Sequence, residues 1–185
     1  YILKEFILIA GEMGDTKHQK LFQDTSLSLI NAIQTTGWDG DWFIRATKDE
    51  GDIISGKACK EGKIYLNAQT WSVISGSGTA EQQLKSMSAV QEYLLKDFGP
   101  LLLSPAYSEP DSRIGYLSRY AAGTRENGGV YTHAATWAIW AFALQGQTEL
   151  AFKVYQGISP IHNGMNPQRY LGEPYVTPGN IDGPD

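Results

Sequence analysis

Apolar residues recur at Ile2, Leu3, Phe6, Ile7 and Ala10, the spacing of one helix face, and predict a helix within residues 1–14. Asp15 and Thr16 make the turn after it. Either can cap a second helix over 17–35, whose inner face carries Leu21, Phe22, Leu29, Ile30 and Ile33. Gly37 ends that helix, and Trp38-Asp39-Gly40-Asp41 reads as a turn. Residues 42–46 (WFIRA) then read as a short strand, paired with a second near 63–66. A helix over 68–75 stops at Gly76. Thr79 caps the next, over 80–97, with Leu84, Met87, Val90 or Gln91, and Leu94 on one face. Residues 98–131 are rich in Gly, Pro and Ser, and an irregular stretch of that length marks a functional loop. The segment 133–144 (HAATWAIWAFAL) is apolar on nearly every side, which predicts a helix buried all round. An amphipathic helix over 148–157 follows, with Leu150, Ala151, Val154 and Tyr155 inward, and a short strand is expected within 169–177.

Buried and amphipathic helices in alternation predict a mainly α chain with a few short strands. They fit the inner and outer layers of an (α/α) toroid.

Composition narrows the function. A length of 185 residues with 42% hydrophobic and 19% charged content fits one soluble globular unit, or a large part of one. A net charge of −5 without a basic run gives nucleic acid or an anionic membrane nothing to bind. No apolar run has transmembrane length, and the start lacks a signal peptide's basic region. The single cysteine, Cys59, allows no internal disulfide and fits a reducing cytoplasm. Three scattered histidines offer no metal-ligand spacing, so no metal or cofactor is expected. Five tryptophans and ten tyrosines suit both core packing and the faces of sugar rings. Tyr1 lies inside an apolar periodic run and Asp185 inside a Gly/Pro loop, so we expect a fragment of a longer enzyme.

The densest chemistry lies in residues 123–137, GTRENGGVYTHAATW, where Arg125, Glu126, Asn127 and His133 surround Gly128 and Gly129 just before the apolar helix. Free N–H groups and a partial positive charge at a helix start suit an anion. The structural alternative is that Thr132 merely caps the helix and His133 is a satisfied core histidine.

RENGGVYTHAATW, with WDGDWFIRA (38–46), EGKIYLNAQTWSVISG (61–76) and EPYV (173–176), resembles the disaccharide phosphorylases of glycoside hydrolase family 94, from about Asn31 to the last residue. The resemblance implies an (α/α)6 catalytic barrel, of which residues 1–185 would be the C-terminal portion. The implied reaction is inverting phosphorolysis of a β-linked glucosyl disaccharide, such as cellobiose or cellobionic acid, to α-glucose 1-phosphate and an acceptor sugar. Inorganic phosphate is the co-substrate. Phosphate replaces the water and general base of an inverting hydrolase, so one carboxylic acid suffices. In the family that acid is an Asp upstream of these blocks, so no catalytic residue is assigned here. Asp41, in WDGDWF, belongs to a different block and is read as a turn residue.

Residue by residue, the resemblance aligns His133 with a phosphate contact, helped by its charged form at a helix N-terminus. It aligns Arg125 with a basic residue of the acceptor subsite (Lys in cellobiose phosphorylase) and Tyr120 with an acceptor-site tyrosine. Glu126 and Asn127 are family residues expected chiefly to brace the loop, with Glu126 kept among the substrate contacts. Tyr116 stands where cellobiose phosphorylase has an acceptor-site Glu, and Gly179 where some relatives have Gln. Losing that carboxylate while carrying an Arg fork favours an acidic acceptor such as gluconate. Glu61 and Gln69 are expected to be structural, His18 to lie on a helix surface and His162 to pack. The rest of its own polypeptide is the implied partner, with a homodimer expected of the full-length enzyme. Two other readings remain open. One is an inverting hydrolase, which needs a second carboxylate about 6.5–9.5 Å from the acid. The other is a non-catalytic carbohydrate-binding fragment.

Overall fold

The computed structural model describes residues 1–184. Helix α1 (Ile2–Glu12) and helix α2 (Thr16–Thr36) pack as a hairpin, with Asp15 as N-cap accepting from the His18 backbone N–H at 3.0 Å. The expected inner face of α2 is largely bare. Leu21, Leu29 and Ile33 are exposed because α1 is the main helix packed on α2. Gln34 ties the hairpin to the remainder: its Nε2 donates to the Ser77 carbonyl at 2.9 Å, and its carbonyl accepts from Gln82 Nε2 at 3.0 Å.

Residues 42–46 do not pair with 63–66. Strand β1 (Ala46–Thr47) pairs antiparallel with β2 (Ile53–Ile54), and β3 (Ile64–Tyr65) pairs elsewhere. The reason is Gln69, fully buried on helix α3 (Leu66–Ile74). Its Oε1 accepts from Phe43 N–H and its Nε2 donates to the Phe43 carbonyl, both at 2.9 Å. One side chain thus satisfies the backbone groups a neighbouring strand would have used. Helix α4 (Ala80–Ala89) opens with a reciprocal capping box between Thr79 and Gln82. It ends earlier than its sequence period predicts. A π-helical turn over Val90–Leu94 hands the chain to β4 (Leu95–Lys96), which forms a hairpin with β5 (Gly99–Pro100). Met87, Val90 and Leu94 are buried as expected, whereas Leu84 is exposed.

Strand β6 (Leu103–Ser104) is the partner of β3. A long loop then leads to β7 (Val130–Tyr131) and helix α5 (Thr132–Leu144). Helix α6 (Thr148–Ile158) and the short helices α7 (Pro160–Gly164) and α8 (Pro167–Tyr170) follow, and β8 (Asn180–Ile181) returns to pair with β7. No strand forms within 169–177, because helix α8, opened by Pro167, runs to Tyr170 and Pro174 begins a turn.

Helix α5 packs between α3 and α6. Ala134, Ala135, Ala138 and Ala141 have no exposed surface, and side chains this small allow the close approach. They join Leu66, Met87, Val90, Leu94, Val130, Phe142 and Val154 in the main core. The expectation of burial on every side fails. His133, Thr136, Trp140, Ala143 and Leu144 share an exposed face of α5, since α3 and α6 cover only the other side. On α6, Ala151 and Val154 point inward and Tyr155 does not. The result is a mainly α chain with four two-stranded ladders and no closed barrel among the described residues.

Candidate active site

The loop from Pro105 to Gly129 is organised by Asn127, which is fully buried. Its Oδ1 accepts from Tyr107 N–H, and its Nδ2 donates to the carbonyls of Tyr107 and Tyr120, each at 2.8 Å. A second brace is Ser118, whose Oγ accepts from Asp111 N–H at 2.8 Å and donates to the Gly115 carbonyl at 2.8 Å. Asp111 also grips Arg113 through both carboxylate oxygens. That pairing holds its carboxyl at about 2, well below the ordinary aspartate range.

The two glycines after Asn127 have separate reasons. Gly128 has φ +89°, and a Cβ there would lie 2.8 Å from the Ala106 methyl group. At Gly129 a Cβ would lie 2.6 Å from the Arg125 carbonyl oxygen and 3.1 Å from that of Ile181. The chain's last segment is threaded against this point. Thr132 N–H donates to the Gly179 carbonyl at 3.0 Å, Thr132 Oγ1 donates to the Pro178 carbonyl at 2.6 Å, and Gly183 N–H donates to the Gly123 carbonyl at 2.7 Å. Thr132 is therefore not the helix cap. Tyr131 holds that position without a side-chain bond, and Thr132 fastens the tail.

Four of the residues singled out in the sequence meet on this scaffold. Arg125 adopts φ +52°, unusual for a non-glycine residue, and its guanidinium lies over the Tyr120 ring, 4.8 Å from the centroid. Tyr116 meets Tyr120 edge to face at 5.5 Å. Glu126 Oε2 lies 3.8 Å from Arg125 Nε, too far for a hydrogen bond, and is buried without a partner among the described residues. A fifth member escaped the motif reading. Arg119 lies over the Tyr116 ring, 5.6 Å from its centroid. Tyr116–Arg119 is a 3₁₀ turn, in which positions i and i+3 eclipse. The Y-x-x-R spacing is the signal that would have found it.

His133 is exposed, so it is not a core histidine. It lies in the first turn of α5, its ring 4.6 Å from that of Trp137 and 6.0 Å from that of Tyr131. Trp137 in turn meets Trp71 edge to face at 5.3 Å. Among the described residues no hydrogen bond, ion pair or ring contact joins His133 to the Arg125–Tyr120 group.

The remaining candidates are structural. Glu61 Oε1 accepts from both N–H (3.0 Å) and Oγ (2.6 Å) of Ser108, and Gln69 braces residue 43. Asp41 pairs with Lys57 in an exposed turn, and His18 pairs with Asp15 at 2.7 Å on the surface. His162, expected to pack, is instead exposed and lines a cleft of about 690 Å³ between α7, α8 and the tail, with Asn163, Arg169, Asn180 and Asp182. None of the residues assigned from the motifs lines that cleft. Among the described residues no group of His, Cys, Asp or Glu is placed to hold a metal, and no helix is long and apolar enough to cross a membrane.

The catalytic-domain profile of the glycosyl hydrolase 94 superfamily matches residues 1–185. Solabiose phosphorylase of Paenibacillus borealis is 37% identical over 162 residues, covering 87% of this chain and 21% of that protein. Cyclic beta-(1,2)-glucan synthase NdvB of Rhizobium meliloti is 33% identical over 186 residues, 98% of this chain and 7% of its own length. A second P. borealis protein, 3-O-beta-D-glucopyranosyl-beta-D-glucuronide phosphorylase, is 31% identical over 173 residues, 94% of this chain and 22% of its own. The chain thus spans about a fifth or less of the length of these relatives. It belongs to the glycosyl hydrolase 94 superfamily, as part of the catalytic domain.

Proposed function

We propose that this chain is the C-terminal portion of a single (α/α)6 catalytic domain. It would supply phosphate and acceptor contacts to an enzyme that phosphorolyses a β-linked glucosyl disaccharide with inversion. The names of its relatives support phosphorolysis as the reaction class. The observation that carries the reading here is His133, exposed at the start of a 13-residue helix between two aromatic rings. Free backbone N–H groups of the first turn and an imidazole can together hold an oxyanion.

In the reaction, an acid carried elsewhere in the polypeptide protonates the glycosidic oxygen as the C1–O bond breaks. Hydrogen phosphate forms the new C1–O bond from the opposite face, which converts β to α. The proton lost by the resulting phosphate monoester balances the one the acid gave. Tyr120, Tyr116, Arg125 and Glu126 form the acceptor side, and no cofactor is required. We further propose a cytoplasmic homodimer for the complete enzyme, the single cysteine of this chain, Cys59, being in keeping with a reducing compartment.

The test is His133→Ala in the full-length protein carrying this chain. A lost charge-assisted bond to phosphate should weaken phosphate use about tenfold to a hundredfold, with disaccharide KM changed much less. Unaltered phosphate dependence would remove His133 from the site.

A further inference from the structure

A histidine that holds a ligand is ordinarily aimed by a hydrogen bond at its second ring nitrogen. His18 has a bond of that kind, its Nδ1 lying 2.7 Å from Asp15 Oδ2. His133 has none. Among the described residues its carbonyl accepts from Thr136 Oγ1 at 2.6 Å, and neither ring nitrogen is engaged. Ring packing fixes the imidazole instead. Trp137 lies four residues on, the spacing of neighbours on one helix face, and its ring is tilted by 57° to that of His133 at 4.6 Å. Trp137 is itself held. It is half-buried against the main core and meets Trp71 of α3 edge to face at 5.3 Å. Tyr131 adds a second edge-to-face contact to the imidazole at 6.0 Å. A row of rings thus runs from the exposed imidazole through Trp137 to a neighbouring helix. Trp140 lies on the same helix outside this row, with its ring against Tyr1 at 5.8 Å.

We propose that Trp137 is a positioning residue for phosphate, fixing the His133 imidazole by ring packing with Trp71 as its backstop. An exposed histidine without such support samples several staggered rotamers. Selecting one of them before the anion arrives removes an ordering cost from binding. It also leaves both ring nitrogens to the ligand, which a hydrogen bond to a protein carbonyl or carboxylate would not. Trp137 acts only through His133 and does not touch the phosphate. The inference rests on the phosphorylase reading, in which His133 contacts that co-substrate.

The test is a double-mutant cycle in the full-length enzyme, read as KM for inorganic phosphate and for the disaccharide. Trp137→Leu should raise phosphate KM roughly three- to tenfold, the worth of one ring pair, with disaccharide KM nearly unchanged. Trp137→Phe, which keeps a ring, should restore most of the affinity. In a His133→Ala background, Trp137→Leu should add almost nothing to the phosphate KM, because the group it positions is gone. Partial unfolding lowers the active fraction and hence kcat, not phosphate KM, so the comparison survives a destabilised variant. Trp140→Leu is the control and should leave phosphate KM unchanged. An unaltered phosphate KM in Trp137→Leu, or the same rise with and without His133, would overturn the positioning role while leaving phosphorolysis intact. An equal rise in Trp140→Leu would also overturn it, by showing a general effect of the helix. Absence of any phosphate-dependent cleavage by the wild type would overturn the phosphorylase reading itself.

Discussion

Asn127 shows how one residue sets the geometry of the site without facing a ligand. Its three 2.8 Å hydrogen bonds satisfy backbone groups at Tyr107 and Tyr120, two positions far apart in the loop. A buried backbone group left unpaired costs about 1–3 kcal/mol, and three would be orphaned together by truncation. Asn127→Ala should therefore lower unfolding stability by about 2–4 kcal/mol, read from urea denaturation. Asn127→Asp keeps the acceptor for Tyr107 N–H but loses both donors, and should also be destabilising. A change below ~0.5 kcal/mol in Asn127→Ala, the range of ordinary surface substitutions, would mean that the loop is held by other contacts. Residue chemistry of this kind was legible in part. The RENGGVYTHA motif marked Arg125, Asn127 and His133, and spacing placed His133 at a helix start. Arg119 was missed because its contact with Tyr116 depends on a 3₁₀ turn that a Gly/Ser-rich loop does not announce.

At the scale of elements, the chain's last segment and the start of α5 are one unit. β7 and β8 pair at Val130↔Ile181 and Tyr131↔Asn180, and Thr132 adds two bonds to the tail beyond the ladder. Gly129 is where this unit tolerates no side chain, because backbone oxygens on three sides would lie within 3.1 Å of a Cβ. Backbone cannot yield as a flexible side chain can. Gly129→Ala should consequently release the tail, so that limited proteolysis cuts within 172–184 much faster than in the wild type. Equal cleavage rates would show that the tail is held without this close approach. Sequence periodicity located α1, α2, α5 and α6 but misjudged their surroundings. Leu21, Leu29 and Ile33 of α2, and Trp140 and Leu144 of α5, are exposed because too few neighbouring elements lie beside them. An apolar pattern states that a face seeks cover, not which segment supplies it. The strand expected at 42–46 failed differently, since Gln69 took the place of a pairing strand.

At the scale of the whole molecule, the chain is a set of helices whose bare apolar faces and two separate clusters, His133 and Arg119–Arg125, fit part of a larger catalytic domain. Its relatives extend about four times its length or more, and the proposed reaction needs a general acid from the remainder. The central claim is phosphorolysis with inversion, and the products of the full-length protein test it most directly. Incubated with a panel of β-linked glucosyl disaccharides and inorganic phosphate, it should release α-glucose 1-phosphate and acceptor in equal amounts, and neither when phosphate is omitted. Release of free glucose at the same rate with and without phosphate would contradict the account and identify a hydrolase.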